Sequence, residues 1–271
     1  MTKRIDLFDS TYSHFTDEVM DAVRKQTYGT DIGQNSWLTV DEYERLIPLL
    51  TLPADAHVLE VASGSGGPAL YLAKTTGCRV TGIDANESGV TTATQMAATA
   101  GQSERVLFAL ANANETLPFP DDSFDGLICI DSMNHFPDRL AVFCEWRRVL
   151  RPGRRALCTD SVVITGPVTS DELALRSSIG LFLFVPPGIN ERLFDQAGFA
   201  LVHQEDVTTN AALVSGRWHR SRKAHRGALL RIEGEERFEG LQRFFAAVHA
   251  LTSEKRLSRI AYVVENPRPA P

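Results

Sequence analysis

A short apolar run, His57–Val61, breaks into Ser63-Gly64-Ser65-Gly66-Gly67 and then into a helix-forming stretch over residues 68–74. Pro68 stands where proline is tolerated, in the first turn of that helix. A strand that turns on glycines into a helix is half of a parallel crossover unit, and the same order then repeats. Residues 79–83 read as the next strand, a helix runs from Glu87 to about Ala100 and stops at Gly101, and strands follow at 106–109 and 126–130. A helix over 139–150 is expected to end at Pro152-Gly153, with a doubly buried strand at 156–163 after it. A helix at 190–197 and strands at 199–202 and 259–264 complete the pattern. The expectation is one α/β domain built on an open, doubly wound sheet.

Two regions depart from that alternation. Residues 1–52 and 208–255 both read as helical, the second through apolar positions such as Leu229, Phe238, Leu241 and Phe245. We therefore divide the chain into an N-terminal helical segment (1–52), a sheet core (53–207), a helical insertion over the pocket (208–256), and a last strand with a loose tail (257–271). The 271 residues are enough for this single unit. A net charge of −6 argues against a nucleic-acid or anionic-lipid surface. The run at 179–185 is far short of the ~20 apolar residues that span a bilayer. Met1-Thr2-Lys3-Arg4-Ile5-Asp6 lacks the apolar core of a secretory signal, so a cytoplasmic location is expected. Cys78, Cys129, Cys144 and Cys158 have neither metal-site nor redox-pair spacing and read as small hydrophobes in a reducing compartment, with no metal expected.

In open sheets of this kind, ligands bind at the carboxyl ends of the strands near the point where strand order reverses. The glycine loop lies there, where a bare backbone can approach a ligand and a helix N-terminus offers free amides. About 18 residues beyond Gly66, Asp84 ends the next strand, placed to accept hydrogen bonds from both hydroxyls of a ribose. Gly64-x-Gly66-x-x-Ala69 also fits the looser dinucleotide pattern, so these residues alone leave NAD open as a rival ligand.

Four ordered motifs narrow the choice. Val58-Leu59-Glu60-Val61-Ala62-Ser63-Gly64-Ser65-Gly66 resembles the first motif of the class I S-adenosylmethionine-dependent methyltransferases. The stretch from Asn112 to Asp125, Asn134-His135-Phe136-Pro137-Asp138 and Arg148-Val149-Leu150-Arg151-Pro152-Gly153 are similar to that family's later motifs, in its order and spacing over residues 57–162. The resemblance implies a Rossmann-like seven-stranded sheet, a helical N-terminal lid, and S-adenosylmethionine as cofactor. Glu60 then matches the acid near the methionine amino group. Ala62, Gly64 and Gly66 match the turn beneath the cofactor, Asp84 and Ala85 the ribose end, Asn112 and Ala113 the adenine flank, and Asp131 the methionine end. Asn112 stands where the family commonly has Asp, and Ala62-Ser63 replaces a commoner Gly-Cys pair.

The segment Tyr28-Gly29-Thr30-Asp31-Ile32-Gly33-Gln34-Asn35-Ser36-Trp37 resembles the lid of small-molecule methyltransferases related to glycine, sarcosine and sugar-modifying enzymes, with Tyr28, Gln34 and Trp37 as candidate contacts. Its implied reaction is in-line methyl transfer to an O or N atom of a small-molecule acceptor, by a monomer or homodimer, with no nucleic-acid or membrane partner. His135, after the fourth strand, is the candidate general base, since imidazole titrates near neutral pH. Sugar O-methyltransferases that the chain resembles pair such a histidine with an Asp ending the fifth strand, here Asp160. A cofactor-binding protein without catalysis is the second reading. The basic stretch 217–226 reads as a solvated helix face or an anion contact, and 179–185 as core or pocket wall.

Overall fold

The structure is a computed structural model and describes residues 7–268. Three helices come first: α1 (Phe8–Ser13), α2 (Glu18–Tyr28) and α3 (Val40–Leu46), the last running into a 3-10 turn at Ile47–Leu50. The core alternates β1 (His57–Val61), α4 (Gly67–Thr76), β2 (Arg79–Asp84), α5 (Glu87–Thr99), β3 (Val106–Leu110), β4 (Phe124–Cys129), α6 (Arg139–Val149) and β5 (Leu150–Ile164). Then follow α7 (Ser170–Arg176), α8 (Ile189–Gln196), β6 (Ala200–Asp206), α9 (Thr208–Ala224), α10 (Arg226–Ser253) and β7 (Leu257–Glu265). The strands form one seven-stranded sheet in the order β3-β2-β1-β4-β5-β7-β6, with β7 antiparallel to both neighbours. This is the expected doubly wound α/β architecture. The order reverses between β1 and β4, which opens a crevice at their carboxyl ends.

Successive side chains along a strand point to opposite faces, and both faces are buried. Leu59, Val61, Leu127, Cys129, Ala156 and Cys158 pack into one apolar cluster with Phe143 and Trp146 of α6. Val58, Ile128 and Leu157, one register position away, pack into a second cluster with Ala69, Leu72 and Ala73 of α4. A third cluster joins α2 to α9 and α10 and includes Trp37, Trp218, Phe244 and Phe245. Cys78, Cys129 and Cys158 are buried, Cys144 is exposed, and all four are free. Among the described residues, no helix is long and apolar enough to cross a membrane.

The structure corrects several boundaries. β5 starts directly after α6 and runs through Pro152-Gly153, where the sequence suggests a stop. Leu150 pairs with Phe124 and the register then shifts, so proline and glycine sit in an irregular stretch that needs no regular ladder. There Gly153, at φ +78°, donates its N–H to the Asn266 carbonyl. Asn266 itself is buried and donates to the Leu150 and Arg147 carbonyls, so the expected loose tail is anchored at its first residue. Residues 269–271 of that tail, and the polar start at 1–6, lie outside the described residues. α7 has no counterpart in the sequence reading.

The N-terminal segment meets the core through glycine. A Cβ added to Gly67 would stand 2.4 Å from the Gly33 carbonyl carbon and 2.5 Å from the Ile32 oxygen, both backbone atoms that cannot swing aside. Gly67→Ala is therefore expected to displace residues 29–37 and cost about 1–3 kcal/mol. Thermal denaturation with limited proteolysis of this segment checks it; an unchanged Tm and cleavage pattern would count against the close packing.

Candidate active site

A cavity of about 410 Å3 opens at the carboxyl ends of β1, β2 and β4, within the usual range for a small-molecule site. Glu60, Ala62, Gly64, Asp84, Ala85, Asn112, Ala113 and Asp131 line it. Gly66 lies behind, at φ +78°, where an added Cβ would meet the Phe108 ring at 2.5 Å. Ala62 holds the left-handed conformation at φ +57°, so the residue replacing the family's glycine keeps a turn that glycine would take without strain.

The two acids at this end differ in their bonding. Glu60 is buried and its Oε2 has no hydrogen-bond partner. Burial pushes its carboxyl well above the usual range, against a partly opposing bond from the Ala69 amide. Asp84 accepts from the Gly64 amide at 2.7 Å and the Asn86 amide at 2.8 Å, which locks it to the glycine loop, while burial raises its pKa. Tyr12 of α1 covers the same loop: a Cβ on Gly64 would stand 2.5 Å from the tyrosine hydroxyl. An unpaired buried carboxylate oxygen suits an ammonium group, and two acids around a glycine loop suit the cationic, ribose-bearing S-adenosylmethionine.

Other positions are more committed than the sequence suggests. The Asn112 amide oxygen already accepts from Asn114, and its amide nitrogen donates to Glu115 at 2.9 Å. Asp131 accepts from the Trp37 amide at 2.8 Å, the Thr159 hydroxyl at 2.8 Å and Arg259 at 2.6 Å. Arg259, fully buried, bridges on to Glu42 of α3 at 2.5 Å, so Asp131 ties the N-terminal segment to the sheet. Of the three lid candidates, Trp37 lines the cavity with its neighbours Asn35 and Ser36. Tyr28 and Gln34 do not: Tyr28 donates to the Ser36 carbonyl, and Gln34 bonds to Ile32 and Leu38. They shape the loop that presents Trp37.

His135 lines the cavity from a 3-10 turn, Met133–His135, after β4. Its Nδ1–H donates to the Leu181 carbonyl at 2.8 Å, and Phe8 and Phe182 meet the ring edge-on at 5.6 Å and 4.8 Å between centroids. In the neutral ring that bond leaves the basic lone pair on Nε2. Asp160 is not brought beside it. Its side chain is sealed on the α6–α8 face of β5, where Arg139 donates at 2.7 Å and Asn190 at 2.9 Å. The pleat decides this: Ser161, the next residue, faces the cavity instead. Asp160→Ala is expected to cost about 3–5 kcal/mol by stranding a buried guanidinium. Urea denaturation measures it, and a loss below about 1 kcal/mol would contradict the ion pair's weight.

Several lining residues escape the sequence reading. Trp218 of α9, with Phe244 and Phe245 of α10, closes the cavity from the insertion, so the basic stretch 217–226 is only partly a solvated face. In that stretch Arg222 is buried against Glu233. Ile179, Leu181 and Phe182, from the stretch read as core or pocket wall, form the wall beyond His135. Arg176, the last residue of α7, also lines the cavity. A sequence signal for α7 exists: Thr169 and Glu172 form a capping box, the Thr-x-x-Glu pattern of a helix start.

Residues 59–158 match the model of a methyltransferase domain. The chain is 39% identical over 124 residues to 27-O-demethylrifamycin SV methyltransferase of Amycolatopsis mediterranei, covering 46% of this chain and 45% of that protein. It thus spans about half the length of that relative. It is 30% identical over 158 residues to O-methyltransferase rstn1 of Aspergillus nomiae, covering 58% of this chain and 70% of that one. A candidate sarcosine dimethylglycine methyltransferase of Galdieria sulphuraria has the same fold, with a TM-score of 0.81 at 18% identity over 97% of this chain and 100% of that one. With the fold, the glycine loop and Asp84 in place, these relationships settle the family: the chain belongs to the class I S-adenosylmethionine-dependent methyltransferases.

Proposed function

We propose that the protein transfers the methyl group of S-adenosylmethionine to an oxygen atom of a small-molecule acceptor. The observation that carries this reading is His135, oriented by the Leu181 carbonyl on the wall of a cavity whose other end holds Glu60 and Asp84. When bound, the cofactor supplies an electrophilic methyl carbon on a sulfonium, and its C–S electron pair stays with sulfur as the methyl leaves. Glu60 would hold the methionine ammonium and Asp84 the ribose, while Trp37 and Tyr12 exclude water. The acceptor hydroxyl gives its proton to His135 Nε2 as the oxygen bonds to carbon. Fixing the acceptor in line can supply about 7–11 kcal/mol, and a base adds roughly 10²–10⁴-fold. Positioning is the larger contribution.

Oxygen is favoured over nitrogen because a hydroxyl must shed its proton to become a competent nucleophile, whereas a neutral amine attacks as it stands. The relatives named above as acting on a demethylated oxygen or as O-methyltransferases point the same way. A panel of hydroxylated and amine metabolites, incubated with methyl-labelled S-adenosylmethionine, tests it. An alcohol or phenol gaining one methyl, with S-adenosylhomocysteine released, is expected. Transfer to amines alone would overturn the oxygen assignment, and tight cofactor binding without turnover across the panel would favour a non-catalytic cofactor-binding role.

A further inference from the structure

We infer that Arg176 recognises a carboxylate on the methyl acceptor, so that the acceptor is an acid with an apolar, ring-sized body. The inference rests on the methyltransferase reading and specifies the substrate class of the same cavity. Arg176 is 2% exposed and lines that cavity. Its Nη2 donates to the Ser161 hydroxyl at 3.2 Å, while its Nη1 is buried without a partner. Among the described residues, every other buried arginine has a carboxylate: Arg24 has Asp31, Arg139 has Asp160, Arg222 has Glu233, and Arg259 has Glu42 and Asp131. Among the described residues, none forms an ion pair with Arg176. Asp131 and Asp160 favour its charge from a distance, yet each is in contact with a different arginine.

A buried guanidinium without a counter-ion is strongly disfavoured, and burial lowers its pKa to about 10. Such a cost persists where a ligand completes the pair. Its surroundings describe the rest of that ligand. The guanidinium lies 4.5 Å from the Phe182 ring centre, 5.3 Å from that of Phe244 and 5.9 Å from that of Trp37, and Trp218 and Phe245 continue the wall. Phe182 touches both Arg176 and His135, so the carboxylate and the methylated atom would sit about one ring apart. Arg176 thus binds one end of the acceptor while His135 serves the other.

Calorimetry on protein saturated with S-adenosylhomocysteine decides it. The probes are para-hydroxybenzoate, para-hydroxyphenylacetate and para-hydroxyphenylpropanoate, each beside its primary amide. At least one acid should bind about 10-fold or more tightly than its amide, equivalent to roughly 1.4 kcal/mol. Arg176→Met should erase that preference without changing amide or S-adenosylhomocysteine affinity, and Arg176→Lys should retain part of it. A merely structural role would weaken acid and amide alike. No acid preference anywhere in the series would overturn the inference. So would Arg176→Met weakening S-adenosylhomocysteine instead, because the guanidinium would then hold the cofactor's own carboxylate. If Arg176→Met does not fold, the wild-type comparison and Arg176→Lys still decide. Failure of the underlying reading is separate: it would appear as wild-type protein that does not bind S-adenosylhomocysteine.

Discussion

Glu60→Gln is expected to weaken S-adenosylmethionine binding by about 10- to 100-fold, the worth of one buried charge-assisted hydrogen bond of roughly 1.5–3 kcal/mol. The ligand-free fold should be as stable as the wild type or more so, because the variant removes a carboxyl whose ionised form burial opposes. The pH dependence follows from the raised carboxyl pKa. Unfolding releases the proton that the native state holds, so this group's contribution to stability is fullest at low pH. It declines as pH rises from about 4.3, the unfolded value, toward the raised folded value. An ammonium placed beside Glu60 favours the ionised form, so binding expels the proton and affinity climbs with pH until the folded pKa is passed. Calorimetric titrations in buffers of different ionisation enthalpy measure that proton. Unchanged affinity and proton release in Glu60→Gln would remove Glu60 from the cofactor's ammonium.

His135→Ala should lower kcat by roughly 10²–10⁴-fold while leaving S-adenosylmethionine affinity within about two-fold. The bond from Nδ1 to the Leu181 carbonyl makes the effect specific to the ring. His135→Gln keeps a polar group there without the base and should be nearly as slow. Raising the pH should partly rescue both variants, since a larger fraction of the acceptor hydroxyl is then ionised without a base. Full activity in His135→Ala would leave positioning as the whole of catalysis and the histidine as a wall residue against Phe8 and Phe182.

The sheet and the cofactor end of the cavity were legible because their signals are local. The run from Val58 to Gly66 contains a strand, a turn and a helix start in sequence order, and Asp84 follows at the end of the next strand. Asp160 was harder to read, because the end of a doubly buried strand has no polar face to betray which side chains look outward. One register position separates the sealed Asp160 from the cavity-lining Ser161. Tyr28 and Gln34 lie in the segment read as a lid, but only contacts with Ser36, Ile32 and Leu38 reveal that they hold the loop's shape. The acceptor wall was hidden for a different reason. Arg176 ends α7, more than thirty residues before α9, while Trp218 of α9 and Phe244 and Phe245 of α10 belong to an adjacent helix pair, and only the folded chain brings all four to one cavity.

Glu60 and Asp84 are proposed to hold S-adenosylmethionine in the cavity. Calorimetric titration of the wild-type chain with S-adenosylmethionine, and separately with NAD, tests it most directly. One saturable site for S-adenosylmethionine, lost or greatly weakened in Asp84→Ala, and no site for NAD is the predicted result. Binding of NAD with none of S-adenosylmethionine would contradict the account.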